Sequence, residues 1–234
     1  MNNIIPFLLP GLVSAVIAYL LGSISFSIIF TRLLANHQDI RTMGSGNAGM
    51  TNVLRSVGKL AAFLTFICDF AKGALAVLIA RTIFQYVCTA SGFPLSWAQY
   101  GTYLAGLAAI LGHIYPIYFG FRGGKGVLTT AAMMLVLDWR VFLCTLVVFA
   151  IVFLCSKIVS LSSIIGAAAY PIFTILVLYF LDYRQGEITV GGMIFGFITA
   201  AVIGGIVIAK HKSNIIRLKH GEEKKITASM KKQS

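Results

Sequence analysis

The sequence predicts an all-α integral membrane protein, a bundle of about seven transmembrane helices with the N-terminus outside and the C-terminus in the cytoplasm. Three observations carry this prediction. Of 234 residues, 58% are hydrophobic and 11% charged, against roughly 25% charged in soluble domains. The mean hydropathy is +0.89; no soluble core hides that much apolar surface, so lipid is the solvent for most of it. The third is the placement of charge. Of 19 Lys and Arg, 15 fall in one alternate set of connections and the tail, and three (Arg81, Arg140, Arg184) in the other, with Lys72 inside a span. Cytoplasmic connections carry the basic excess, which sets the orientation.

The first apolar run covers 4–30, with no charge before Arg32 and no basic residue ahead of it. It is too long for a signal-peptide core and reads as a retained span. Further runs follow at 60–80, 97–119, 127–137, 140–156, 161–181 and 190–209. A crossing needs roughly 17–25 residues, and 127–137 falls short. Asp138, Trp139 and Arg140 alone part it from the next run. Residues 127–156 therefore read as two thin spans or as a hairpin that fails to cross, giving seven helices or five plus a re-entrant hairpin. Both leave the C-terminus on the same side. Residues 1–209 read as one transmembrane helical domain, and 210–234 as a basic cytoplasmic tail whose first part contributes to the site.

Small residues mark where helices approach. Gly101, Ala105 and Ala109 form a row that continues to His113, and Gly192 and Gly196 make a GxxxG; both read as packing faces. Cys68, Cys88, Cys144 and Cys155 form no CxxC pair and read as small packing residues. The net charge of +12 does not point to nucleic acid, because eight basic residues follow Ala209 beside a span, where they orient the chain and favour anionic head groups.

Three polar segments fall on the predicted cytoplasmic side. The first, DIRTMGSGNAGMTNVLRSVGK at 39–59, joins Gly44, Gly46 and Gly49 to Ser45, Asn47, Thr51 and Asn52, with Arg55 behind. Glycines let backbone N–H groups turn toward a ligand, and the side chains add donors, so this reads as an anion site rather than a plain flexible loop. The second, HIYPIYFGFRGGKGV at 113–127, sets Gly123, Gly124, Lys125 and Gly126 before an apolar helix. Free amides, the helix dipole and the Lys125 charge suit a phosphate, while a tight basic turn is the plainer alternative. The Walker spacing is absent, so nothing argues for ATP. The third, KHKSNIIRLKHGEEKK at 210–225, places His211, Asn214 and Arg217 on one helical face. A basic segment lying on head groups explains its lysines but not Asn214 or Glu223. Asp69 and Lys72, three apart inside a span, can pair across one turn and face protein or a polar cavity.

In this order the segments resemble the bacterial acyl-phosphate:glycerol-3-phosphate acyltransferases, the PlsY family. YLLGSISFSIIFTRL ahead of the first and DFAKG behind it belong to the same match, which covers almost the whole chain. The tail departs from the pattern once, with Glu222 where the family usually has Thr. The resemblance implies acyl transfer from acyl phosphate to the 1-hydroxyl of glycerol 3-phosphate, giving lysophosphatidic acid for phospholipid biosynthesis. It implies catalytic roles for Ser45, Arg55, Lys125, His211 and Asn214. Substrate contacts fall to Gly46, Asn47, Thr51, Asn52, His113, Gly123, Gly124, Gly126 and Glu223. It implies no metal or other cofactor, no nucleic acid, membrane lipid as surroundings, a monomer, and a bacterial cell membrane location with the site facing the cytoplasm.

The chemistry fits. A mixed anhydride carries its own leaving group, so the protein must supply two phosphate pockets and alignment of a hydroxyl on a carbonyl carbon. The base stays open between His211, His113 and the donor phosphate, whose second pKa is about 6. Ser45 reads as a phosphate ligand, since no base adjoins it in sequence to make it a nucleophile. A transporter of an organic phosphate is the rival class. It is disfavoured because no internal repeat is apparent and the donor-rich loops lie at the membrane edge. Acyltransferases of the HxxxxD type are disfavoured too, since no histidine has Asp five positions on.

Overall fold

A computed structural model describes residues 4–226. Among them the chain is helical without strands, and it forms two compact units that part between Leu137 and Asp138. In the first unit, helix α1 (Ile5–Gly22) opens with Pro6 in its first turn, where a missing N–H costs nothing. Residues 23–25 interrupt it, and α2 (Phe26–Leu34) resumes the same apolar run. A short helix α3 (Met50–Ser56) precedes α4 (Lys59–Ser91), then come α5 (Ala98–Ile114) and α6 (Val127–Leu137). The second unit holds α7 (Trp139–Ser156), α8 (Val159–Val177, extended by a π-helical turn to Tyr183), α9 (Val190–Lys210) and α10 (Lys212–Lys219).

Among the described residues six helices are long and apolar enough to cross a membrane: Ile5–Leu34, Lys59–Ser91, Leu95–Phe119, Trp139–Ser156, Val159–Tyr183 and Val190–Lys210. The seventh expected run is α6, whose 11 residues reach only about 16 Å where the hydrocarbon is about 30 Å thick. The helix α7 that follows has 18 residues and the required apolarity, so 127–156 is neither a pair of thin spans nor a hairpin too short to cross: α6 is short, as its run is, and α7 is of full length. In contrast, α4 far outruns the expected 60–80. Its 33 residues extend about 50 Å, and Arg81, expected in a connection, is helical. The Arg81 guanidinium instead donates to the Val136 carbonyl at 3.3 Å, satisfying one of the acceptors that the end of α6 leaves unpaired.

Close helix approaches use the small residues. A Cβ on Gly22 would strike the Ala109 carbonyl, and one on Gly112 the Tyr19 carbonyl, so α1 and α5 touch backbone to backbone. The row in α5 packs as expected: Ala105 and Ala109 are buried, and Gly101 receives the Phe84 ring. Gly73 seats α6 against α4, with Thr129 O 3.0 Å from a Cβ placed there. In the second unit Gly192 and Gly196 are buried on α9, and Gly204 meets the Ala167 carbonyl of α8. Among the cysteines only Cys88 is a core residue; Cys144 and Cys155 are exposed on α7.

Candidate active site

The first polar segment folds around one side chain. Asn52, in the first turn of α3, is buried, and its amide nitrogen lies within hydrogen-bond reach of three carbonyls: Met43 (2.9 Å), Ile40 (3.1 Å) and Asn47 (3.1 Å). Its Oδ1 accepts the Ser45 backbone N–H at 3.0 Å. An amide has two donors and one acceptor oxygen, and here both ends are turned onto the loop. Gly44 and Gly46 take left-handed backbone angles, φ +54° and +69°, which strain an L-residue. Gly44 must also stay bare because a Cβ would meet Asn52 Oδ1. The result presents Ser45 at the surface, with Asn47, Thr51 and Arg55 half-buried beside it.

Asp39 and Arg41 brace this loop from behind. The Arg41 fork grips the Asp39 carboxylate at 2.9 and 2.8 Å, and its remaining nitrogen donates to the Phe119 carbonyl at 2.6 Å. Arg32 adds a contact to the same carboxylate at 3.1 Å. The Arg41 guanidinium holds the Asp39 carboxyl down to about 2, against the upward pull of its burial. One arginine thus ties the first polar segment to the second.

The second segment closes on α5. Gly123 donates its N–H to Ile114 O (3.1 Å) and Gly124 to His113 O (3.2 Å). These amides, expected to face a ligand, are engaged in the turn. What the two glycines supply is space. A Cβ on Gly123 would collide with the His113 carbonyl, and one on Gly124 with both the His113 ring and the Ala48 carbonyl. Ala48 belongs to the first segment, so the two glycine loops and His113 meet at Gly124. Gly126 adopts φ +82° and releases the chain into α6, with Lys125 half-buried between.

Beneath the loops lies the ionisable group of α4. Lys72 Nζ sits 2.7 Å from Asp69 Oδ1 and donates to the Ile24 carbonyl at 2.6 Å, at the interruption between α1 and α2. A broken helix frees carbonyls that lipid cannot satisfy, and the ammonium does so here. Asp69 Oδ1 is also 4.0 Å from His113 Nδ1.

In the second unit the tail forms its own cluster. The chain kinks at His211, so α10 does not simply prolong α9, yet Asn214 and Arg217 keep a common face. Both converge on Glu223: Asn214 Nδ2 donates at 2.7 Å and Arg217 Nε at 2.7 Å, with the Ser160 hydroxyl of α8 third at 2.8 Å. Burial pulls the Glu223 carboxyl upward, but these three donors outweigh it and leave it lowered. His211 is buried, with Nδ1 2.7 Å from the Val207 carbonyl. A carbonyl only accepts, so Nδ1 carries the proton of this contact. Ser160 was not legible as a site residue, since 63 positions separate it from Glu223. Asp39 and Arg41 stood inside the quoted motif, but only the fold shows what they join.

Helices of membrane-spanning length that carry such loops define an integral membrane protein with a phosphate-suited polar site. A sequence model described as "Glycerol-3-phosphate acyltransferase" matches residues 12–221. The chain belongs to this family. It is 41% identical over 215 residues to the glycerol-3-phosphate acyltransferase of Clostridioides difficile (strain 630), covering 92% of this chain and 95% of that one. To the one from Jannaschia sp. (strain CCS1) it is 37% identical over 221 residues, 94% of each chain. The fold resembles the crystal structure of PlsY (YgiH), an integral membrane glycerol 3-phosphate acyltransferase, in its glycerol 3-phosphate form. The TM-score is 0.76 and the identity 34%, covering 94% of this chain and 96% of that one. For the lysophosphatidic acid form the TM-score is 0.73 and the identity 33%, covering 94% and 97%.

Proposed function

We propose that this chain transfers a fatty acyl group from acyl phosphate to the 1-hydroxyl of glycerol 3-phosphate. The products are lysophosphatidic acid and inorganic phosphate, and the step serves phospholipid biosynthesis in a bacterial cell membrane. The supporting observation is the junction at Gly124, where a donor-rich loop and a lysine-bearing loop meet, in a chain so similar to a structure holding glycerol 3-phosphate.

The alcohol oxygen forms the new bond to the acyl carbon, and the bond from that carbon to the phosphate oxygen breaks. The hydroxyl proton goes to the departing phosphate, whose second pKa of about 6 suits it as acceptor. Lys125 and Arg55 hold phosphate as cations, and Ser45 orients the acyl phosphate. His211 and Asn214 carry catalytic contacts, while Gly46, Asn47, Thr51 and the loop glycines shape the substrate sites. Asn52 and Glu223 serve by holding their segments in shape. The three polar segments face the cytoplasm, as the basic bias demands, an orientation in which α6, short as it is, completes a crossing of its own, and the protein acts as a monomer.

The test is direct. Full-length protein in detergent, given palmitoyl phosphate and glycerol 3-phosphate without metal or nucleotide, should release lysophosphatidic acid and phosphate in equal amounts. Turnover with acyl-CoA alone would overturn the donor assignment, and phosphate transport into liposomes without acylation would favour the transporter.

A further inference from the structure

An ionisable side chain in a span must face protein or water, because hydrocarbon offers it nothing. Asp69, Lys72 and His113 are exposed by only 1%, 3% and 6%, and their contacts run in one direction. At one end Lys72 donates to the Ile24 carbonyl and pairs with Asp69. Asp69 Oδ1 then lies 4.0 Å from His113 Nδ1, a nitrogen that has no hydrogen-bond partner. That separation is too long for a hydrogen bond, so packing holds the ring. On its far edge Nε2 and Cε1 abut Gly124, and the His113 carbonyl accepts the Gly124 N–H.

A pair that only braced the helix interruption would be complete with Lys72, Asp69 and Ile24. It would not need a buried imidazole wedged between the carboxylate and the glycine loop. We infer that Asp69, Lys72 and His113 form a positioning group that fixes the 123–126 loop and, through it, the Lys125 ammonium. His113 is then a positioning residue acting through Gly124, and Asp69 and Lys72 act one step further back. The inference rests on the reading above only in taking this loop to hold a substrate phosphate.

The experiment is a two-substrate kinetic matrix with a thermal midpoint for each protein. The variants are Lys125→Ala, His113→Gln and the neutral pair Asp69→Asn with Lys72→Met. Removing Lys72 alone strands a buried charge and endangers folding, whereas neutralising both partners tends to restore stability. His113→Gln and the neutral pair should raise the same Michaelis constant that Lys125→Ala raises, by about tenfold or more, with turnover at saturation within about threefold of wild type. Whichever substrate's constant Lys125→Ala raises names the phosphate that the loop holds, and the positioning group stands if the other variants raise that same constant. A neutral pair with wild-type constants would reduce Asp69 and Lys72 to a brace and overturn the inference. So would a His113→Gln protein whose constants are unchanged or move for the other substrate. Should the neutral pair not fold, His113→Gln decides alone, since it leaves the ion pair in place.

Discussion

The imidazole of His113 lies so close to the Cα of Gly124 that no side chain fits between them, and the Ala48 carbonyl crowds the same position. Two polar segments far apart in sequence therefore share one point of contact, and a single methyl group there is a sharp probe. Gly124→Ala should abolish most acyl transfer while leaving the protein extractable and folded. A Cβ must displace backbone at Ala48 as well as the ring, and a displacement near 1 Å costs about a hundredfold in rate. Gly126→Ala, where the clearance is larger but φ is +82°, should cost less. Initial rates against thermal midpoints separate the two effects, and wild-type activity in Gly124→Ala would remove the junction from the site.

Asn52 should behave as an organiser of its loop. Replacing it with Ala removes the acceptor for Ser45 N and the donors to three carbonyls. Breaking such a buried network costs about 2–3 kcal/mol. The loss should appear as faster proteolysis within 39–52 and as higher Michaelis constants for both substrates, since the whole loop loosens. A defect confined to one substrate would make Asn52 a ligand instead.

Asp39 gives the loop a pH dependence of known sign. Its folded pKa of about 2 lies below the ordinary value of 3.8, so its stabilisation is full above 3.8 and is lost as pH falls toward 2. Wild type should therefore exceed Asp39→Asn in thermal midpoint at pH 6, and the gap should close between pH 4 and pH 2. A gap that stayed constant across this range would show that the Arg41 fork does not depend on the Asp39 charge.

Orientation rests on charge alone and can be checked residue by residue. In a cysteine-free background, single cysteines at Ser45, Lys125 and Lys219 should resist an impermeant thiol reagent in intact cells and react once the membrane is opened. A cysteine at Arg184 should label from outside. Labelling of Ser45 from outside would reverse the assignment made from the 15 cytoplasmic and three external basic residues.

The sequence by itself determined the solvent of this protein, its helical class, and which segments carry its polar chemistry. Hydropathy and charge are local quantities, and lipid enforces them so strictly that six of the seven apolar runs became helices of spanning length. The short 127–137 segment was equally legible, because its length is written in the run itself. What tertiary structure alone decided are matters of distance between elements. The interruption at residues 23–25 lies within a run that carries no charge, and its serines alone do not break a span; the Lys72 ammonium that satisfies Ile24 comes from another helix. Gly123 and Gly124 read as flexible donors, yet their amides are engaged and their role is clearance, a property of His113 and Ala48 rather than of the glycines. Glu223 read as a ligand, yet three donors, one of them 63 positions away, surround its carboxylate. Residue type fixes which bonds a group can make, and only the folded chain fixes which of them it has left for a substrate.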